Sequence, residues 1–192
     1  MEININCDLG EKSKFHSTEN DPDLLSIVNS ANVACGYHAG DEETMNKVIK
    51  ISKKNGVSVG AHPSFNDPDN FGRKRINLNS TEITKLIIDQ YKILQEITQN
   101  YDENVTHIKP HGALNNMACE DFDLANTIAK AINSISKNII FLVPTGSQME
   151  IAARKLNMKI ACEIFADRNY EDDGNLVSRS KDNALITDPE IA

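Results

Sequence analysis

The sequence predicts an α/β fold in which a parallel sheet of short strands is joined by helices that cross back over it. Three observations point there. Apolar runs of four or five residues alternate with longer segments whose apolar residues recur at helical spacing, the pattern of strand, crossover helix and parallel strand. Gly, Pro, Asn or Asp stands at most of the junctions. At several strand ends the residues that follow include Asp, His, Lys or Glu, on the side of the sheet where α/β folds hold their ligands.

The first strand is the alternating run Ile3-Asn4-Ile5-Asn6-Cys7, and Asp8-Leu9-Gly10-Glu11 places two carboxylates just past it. Lys12 to Pro22 is a polar loop, and Leu24, Leu25, Ile27 and Val28 give a short helix from Asp23 to Asn29. The rest of the chain is organised around the stretch from Ser30 to Gly40. Ala31, Val33 and Ala34 suit a buried strand, Gly36 breaks the run, and His38 stands where the chain leaves the sheet. Asp41, Glu42 and Glu43 open a helix that runs to Lys54 and stops at Asn55-Gly56. Val57-Ser58-Val59-Gly60-Ala61 is the third strand and delivers His62-Pro63. A loop from Asn66 to Arg75 leads to a long helix starting near Ser80, capped within Asn79-Ser80-Thr81 and apolar along Ile83, Leu86, Ile87, Tyr91, Leu94 and Ile97.

Val105-Thr106-His107-Ile108-Lys109 is the fourth strand, ending in Pro110-His111-Gly112, and a helix comes next from Phe122 to Ile135. Ile139-Ile140-Phe141-Leu142-Val143 is the most apolar strand and reads as buried on both faces. After Pro144-Thr145-Gly146-Ser147 come a short helix to Leu156 and a sixth strand, Lys159-Ile160-Ala161-Cys162-Glu163. The rest is polar and loop-rich, with Asp188-Pro189-Glu190 resembling a helix opening with Pro at its first position.

The 192 residues, 40% hydrophobic and 25% charged, fit one domain with a sizeable core. A formal net charge of -8 and a pI near 5.1 argue against nucleic acid or an anionic membrane as partner. With no basic-then-apolar leader and no run approaching the ~18 apolar residues of a membrane span, the expected location is cytoplasmic. Cys7, Cys35, Cys119 and Cys162 are scattered and form no C-x-x-C pair, which argues against a disulfide framework or a structural zinc site.

In a parallel sheet every carboxyl end lies on one side, so Asp8, Glu11, His38, His62, Lys109, His111, Glu163, Asp167 and Arg168 are expected to converge on one rim. Such a set can hold a divalent metal, exchange protons with a substrate, or stabilise an anionic intermediate. Each group also has an ordinary structural use. Asp8 could cap the turn before Gly10, and Glu163 could pair with Arg168 as a salt bridge without function. His16 reads as a loop residue, His107 as strand packing, and Arg73-Lys74-Arg75 as a solvated charge run.

At these residues the sequence resembles the LamB/YcsF family. The matching blocks are Asn6-Cys7-Asp8-Leu9-Gly10-Glu11, Ser30 through Gly40, Gly60-Ala61-His62-Pro63, Phe71-Gly72-Arg73, and Lys109-Pro110-His111-Gly112-Ala113-Leu114. Glu163, Phe165-Ala166-Asp167-Arg168 with Tyr170, Asp173-Gly174 and Leu176-Val177-Ser178-Arg179 complete them. The resemblance implies a distorted seven-stranded (β/α) barrel of the glycoside hydrolase/deacetylase type. Family members continue for some tens of residues beyond Ala192, so the single domain over residues 1–192 is expected to be C-terminally incomplete and to lack its last strand.

The implied activity is ATP-dependent opening of the 5-oxoproline lactam to L-glutamate, carried out together with 5-oxoprolinase subunits B and C. In that reaction Asp8, His38, His62 and Glu163 are cast as proton-transfer or ligand residues, and Lys109, His111 and Arg168 as stabilisers of negative charge, with Glu11 and Asp167 beside them. The sequence contains no G-x-x-x-x-G-K-[ST], so an ATP site would be unconventional or lie largely on a partner. Two other readings stay open. One is a stand-alone metal-dependent deacetylase or amidohydrolase with Asp8, His38 and His62 as its metal triad. The other is a non-catalytic carbohydrate-binding or regulatory protein.

Overall fold

A computed structural model of the chain describes residues 3–172, 174, 176–177, 181–188 and 190–191. Six parallel strands succeed one another across a single sheet in chain order: β1 (Asn6–Leu9), β2 (Ser30–Ala34), β3 (Ser58–His62), β4 (His107–Ile108), β5 (Ile140–Pro144) and β6 (Ile160–Glu163). Between them run α1 (Asp21–Leu24), α2 (Glu42–Asn55), α3 (Ser80–Gln99), α4 (Gly112–Glu120), α5 (Phe122–Ile135) and α6 (Gln148–Lys155). The sheet curls, so that its two edge strands meet across the inside: Asn6 Nδ2 on β1 donates to Glu163 Oε2 on β6 at 3.3 Å. The architecture is a half-barrel, and the expected seventh strand is not among the described residues.

Register explains which side of each strand faces the helices. Leu9, Val33, Ala61, Ile108 and Phe141 form one row across five strands, and all are fully buried or nearly so. With Met45, Val48 and Ile49 of α2, Ile83, Ile87 and Leu94 of α3, and Ile128 and Ile132 of α5 they make one apolar core. One residue away, Asp8, Asn32, Gly60 and His107 form the neighbouring row and turn inward, because successive strand residues point to opposite faces. A barrel lumen is usually packed with branched apolar side chains, whereas this one is polar.

Local chemistry sets the helix ends. Asp41 accepts from Thr44 N at 2.8 Å at the start of α2, and Gly56 closes it with φ at 69°, where a side chain would be strained. Asn79 and Glu82 form a capping box at the start of α3. Three boundaries differ from the sequence reading. β1 begins at Asn6: Ile3 and Ile5 are exposed, and the Ile5 carbonyl accepts from Asn29 and Ser30 just ahead of the register that starts at Asn6 and Ser30. The first helix is the single turn Asp21–Leu24, with Pro22 in its first turn. Residues 112–120, left unassigned by the sequence, are helical: Ala113, Leu114 and Ala118 bury one face. Among the described residues the last segment carries two antiparallel bridges, Arg168 to Leu185 and Tyr170 to Leu176. Pro189 of the anticipated helix opening, and Asp173, Ser178 and Arg179 of the matching blocks, lie outside the described residues. Among the described residues no helix is long and apolar enough to cross a membrane.

Candidate active site

A cleft of about 900 Å³ opens at the carboxyl rim of the sheet, lined by Asp8, Glu11, His62, Lys109, His111 and Glu163, with Phe71, Arg73 and Arg168 also in its wall. The side chains reach it by the two-residue period of the strands. Asp8 lies on β1, His62 closes β3, Glu163 closes β6, and Lys109 and His111 come directly after β4.

Beneath the rim lies a polar layer that fixes Asp8. Asn32 Nδ2 donates to Asp8 Oδ1 at 2.8 Å and to Asn6 Oδ1 at 2.7 Å, and Asn32 Oδ1 faces His107 Nε2 at 3.0 Å. With both amide hydrogens directed at carbonyl and carboxylate oxygens, Asn32 can only accept from His107, so His107 carries its proton on Nε2. Burial, with Lys109 and His62 nearby, pulls the pKa of His107 down to about 4 and keeps it neutral. Its ring spans the gap to Asn32 by lying over Gly60, the residue between them in the row. A Cβ on Gly60 would come within 2.2 Å of the ring.

Lys109 Nζ sits 3.1 Å from Asp8 Oδ1 and 3.1 Å from Glu163 Oε2. Burial alone would lower the lysine pKa, but Asp8 and Glu163 outweigh it and the net shift is upward, so the ammonium is retained. Burial alone would raise Asp8, but His62 and Lys109 hold its carboxyl well below the usual carboxylate range. Asp8 Oδ1 is thus committed to Asn32 and Lys109. Oδ2 points instead toward His62 Nε2, at 3.4 Å.

Three imidazoles close the site. His62 Nδ1 meets the carbonyl oxygen of Lys109 at 2.7 Å, and His111 Nε2 meets that of Phe71 at 3.0 Å. A carbonyl accepts only, so each of these nitrogens carries hydrogen. His38 stacks on His111 with ring centroids 3.9 Å apart, and its Nε2 lies 3.1 Å from Glu11 Oε1. Its Nδ1 is buried without a partner among the described residues. Burial, reinforced by His62, pulls His38 and His111 down to about 3. Burial pulls His62 down as well, but Asp8 outweighs it and the net shift is upward. Phe71, left-handed at φ 56° and buried, packs its ring edge-on against His38 and His111, with the Arg73 guanidinium and the His16 ring also against it.

The structure brings together Asp8, Glu11, His38, His62, Lys109, His111 and Glu163. It does not bring in Asp167, which is exposed, lies outside the cleft lining, and accepts from Ile186 N through its backbone oxygen. Arg168 lines the cleft, but its guanidinium donates to the carbonyls of Val177 and Ala184 and so pins the last segment. The ordinary pairings also differ. Glu163 pairs with Lys109 rather than Arg168, and the Gly10 N–H is taken by Asp21 instead of Asp8. The triad Asp8, His38 and His62 is not one of the close ligand groups: His38 faces Glu11, and His111 stands beside Asp8 and His62 in its place.

Sequence reasoning missed Asn6, Asn32, His107 and Phe71. A signal existed for His107, since a strand histidine two residues before Lys109 shares its face. Arg73 and Arg75, read as a solvated run, both line the cleft, Arg73 over the Phe71 ring and Arg75 paired with Glu120 at 2.7 Å.

This geometry has relatives. The LamB/YcsF family model matches residues 3–192. The 5-oxoprolinase A subunit of Rhodopseudomonas palustris is 44% identical over 194 residues, covering 100% of this chain and 76% of that protein. The 5-oxoprolinase A subunit of Staphylococcus carnosus is 41% identical over 192 residues, with 100% and 76% covered. Among solved structures, the lactam utilization protein from Thermus thermophilus superposes with a TM-score of 0.92 at 34% identity, over 99% of this chain and 77% of that one. By its sequence across nearly every residue, and by its fold, the chain belongs to the LamB/YcsF family.

Proposed function

We propose that this chain is the A component of a multi-subunit 5-oxoprolinase, and that its cleft binds 5-oxo-L-proline and opens the lactam to L-glutamate. The observation that carries the reading is the convergence of Asp8, Glu11, His62, Lys109 and His111 on one cleft. The names of the relatives supply the substrate class.

Lactam opening makes two demands on protons. Water must lose one as it attacks the carbonyl carbon, and the ring nitrogen must gain one as the C–N bond breaks. Glu11, Asp8 and the imidazoles of His62 and His111 lie 2.9 to 3.8 Å from one another along the chain of contacts and are the groups to accept and return them. The Lys109 ammonium, buried and charged, is placed to stabilise the negative charge of the phosphoryl group carried by the former carbonyl oxygen. A lactam carbonyl is a weak electrophile. ATP would overcome this by phosphorylating the carbonyl oxygen and leaving as ADP; addition of water and C–N cleavage then give an acyl phosphate, which a second water hydrolyses to L-glutamate and inorganic phosphate. Because the chain lacks a Walker-type loop we assign the nucleotide site largely to subunits B and C. ATP as co-substrate fits a cytoplasmic location. A seventh strand, completing the barrel, would lie in the seam between β1 and β6, where Ile3, Ile5 and Ile164 are exposed.

The test is a 5-oxoproline-dependent ATPase and glutamate-release assay on this chain with and without subunits B and C. Glutamate should form only in the assembled enzyme, and Asp8→Asn should abolish it. Glutamate released by the chain alone would overturn the multi-subunit reading, and turnover unaffected by Asp8→Asn would remove the cleft as the active site.

A further inference from the structure

The facing nitrogens of His62 and His111 meet at a point ringed by acceptors. His62 Nε2 and His111 Nδ1 lie 2.9 Å apart, in direct contact. Each ring has already placed its hydrogen on the opposite nitrogen, at the carbonyls of Lys109 and Phe71. Held this way, the two facing nitrogens direct their lone pairs at one point, which a shared proton or a metal ion has to occupy. The groups around them are acceptors too: Asp8 Oδ2 at 3.4 Å from His62, and Glu11 Oε1 at 3.3 Å from His111 and 3.8 Å from His62.

We propose that these four atoms, Asp8 Oδ2, Glu11 Oε1, His62 Nε2 and His111 Nδ1, form a site for one divalent first-row transition ion. Spacing supports it. Ligands at about 2.1 Å from an ion lie roughly 3.0 Å apart in an octahedron and roughly 3.4 Å apart in a tetrahedron. The four contacts above run from 2.9 to 3.8 Å, with His111 common to the two close ligand groups, Asp8 with His62 and Glu11 with His38. The ligand atoms of Asp8, His62 and His111 all lie within 4.8 Å of one another.

The surroundings have the form that metal ligands require. Both histidines donate their second nitrogen to a backbone carbonyl, which fixes tautomer and ring plane, and Asp8 is oriented through its other oxygen by Asn32 and Lys109. His38 Nε2 lies beside Glu11 Oε1 at 3.1 Å and steadies that carboxylate from outside the ligand set. Charge agrees as well. Asp8, Glu11 and Glu163 gather three carboxylates around the ammonium of Lys109, an excess of acidic groups that suits a cation. Two imidazoles beside two carboxylates favour zinc, manganese, iron, cobalt or nickel over magnesium or calcium. This ligand set differs from the Asp8, His38 and His62 triad by exchanging His38 for His111 and adding Glu11. It rests on donor geometry and does not require that the substrate be a lactam.

The experiment uses the full chain stripped with chelator. Zn²⁺ and Co²⁺ are titrated calorimetrically, and the visible spectrum of the Co²⁺ form is recorded. The expected result is one ion per chain, a Co²⁺ spectrum distinct from the aqua ion, and affinity at least tenfold weaker in His62→Ala and in His111→Ala. Asp167→Ala, outside the cleft, should bind as the unaltered chain does. If an alanine variant fails to fold by circular dichroism, the Co²⁺ spectrum of the unaltered chain decides. An aqua-type spectrum, or unchanged affinity in both folded alanine variants, would overturn the site and leave a proton bridging the two rings. Glutamate release by the assembled enzyme is measured in parallel. An ion bound without glutamate formed would sink the lactam reading alone, and glutamate formed by a chain that binds no ion would sink the cation site alone.

Discussion

Replacing Gly60 by alanine tests the polar layer that holds Asp8 in place. The new Cβ would lie 2.2 Å from Cδ2 and Nε2 of His107 and 2.5 Å from its Cε1, well inside van der Waals contact. The ring has no free direction to yield, since Nε2 is bonded to Asn32 at 3.0 Å and Nδ1 lies 2.9 Å from Thr106 Oγ1. Overpacking of this kind costs about 1–3 kcal/mol. Displacing the ring also strips Asn32 Oδ1 of its donor in a buried place, worth about 1–3 kcal/mol more. The expected loss is therefore about 2–6 kcal/mol, a large part of the ~5–15 kcal/mol that holds an ordinary domain together. Urea unfolding measures it as a lower midpoint at unchanged slope. His107→Ala removes the obstacle, so the double variant Gly60→Ala/His107→Ala should cost less than the two single losses added, by at least ~1 kcal/mol. A Gly60→Ala chain within about 0.5 kcal/mol of the original, or strictly additive losses, would show that His107 does not need the space above Gly60.

The same geometry fixes other outcomes. His38, His107 and His111 are held neutral, with pKa values pulled to about 3, 4 and 3, while in the unfolded chain they titrate near 6.5. The unfolded state therefore binds more protons as pH falls from about 6.5, and stability falls with it; His62, shifted upward, opposes but does not cancel three. Urea midpoints at pH 7 and pH 5 should show a clear drop, and equal midpoints would refute the burial of neutral rings. Lys109→Met leaves buried Glu163 and the partly exposed Asp8 without their shared cation and should cost about 3 kcal/mol. Adding Glu163→Gln should recover part of that loss, and no recovery in the urea midpoint would argue against the pairing. Asp167→Ala, outside the cleft, should leave glutamate release by the assembled enzyme within about twofold, whereas a hundredfold fall would return Asp167 to the site.

The strand order, the crossover helices and most of the rim were legible in the sequence because they rest on local signals. Period-2 and period-3.6 patterns mark the elements, and a parallel sheet sends every carboxyl end to the same side, so Asp8, His62, Lys109, His111 and Glu163 could be gathered without coordinates. The features that stayed hidden depend on register between strands. Whether His107 packs in an apolar layer or reaches a polar one is decided by its partner in the next strand, and that partner is Gly60, a position that in sequence looks only like a weak spot in a strand. Asn32 and Asn6 gain their meaning from Asp8 and Glu163, one strand or a whole sheet away. Asp167 shows the opposite case. It comes four residues after the last strand and so resembles a rim group, but the chain has by then turned away toward Ile186, and distance past a strand end is a poorer guide than the direction of the final strand residue. The inward row of Asp8, Asn32, Gly60 and His107 thus does for the site what the outward row of Leu9, Val33, Ala61 and Ile108 does for the core. One alternation along each strand separates the side chains that stabilise the fold from those that hold the chemistry, and a one-residue slip in any strand would exchange the two.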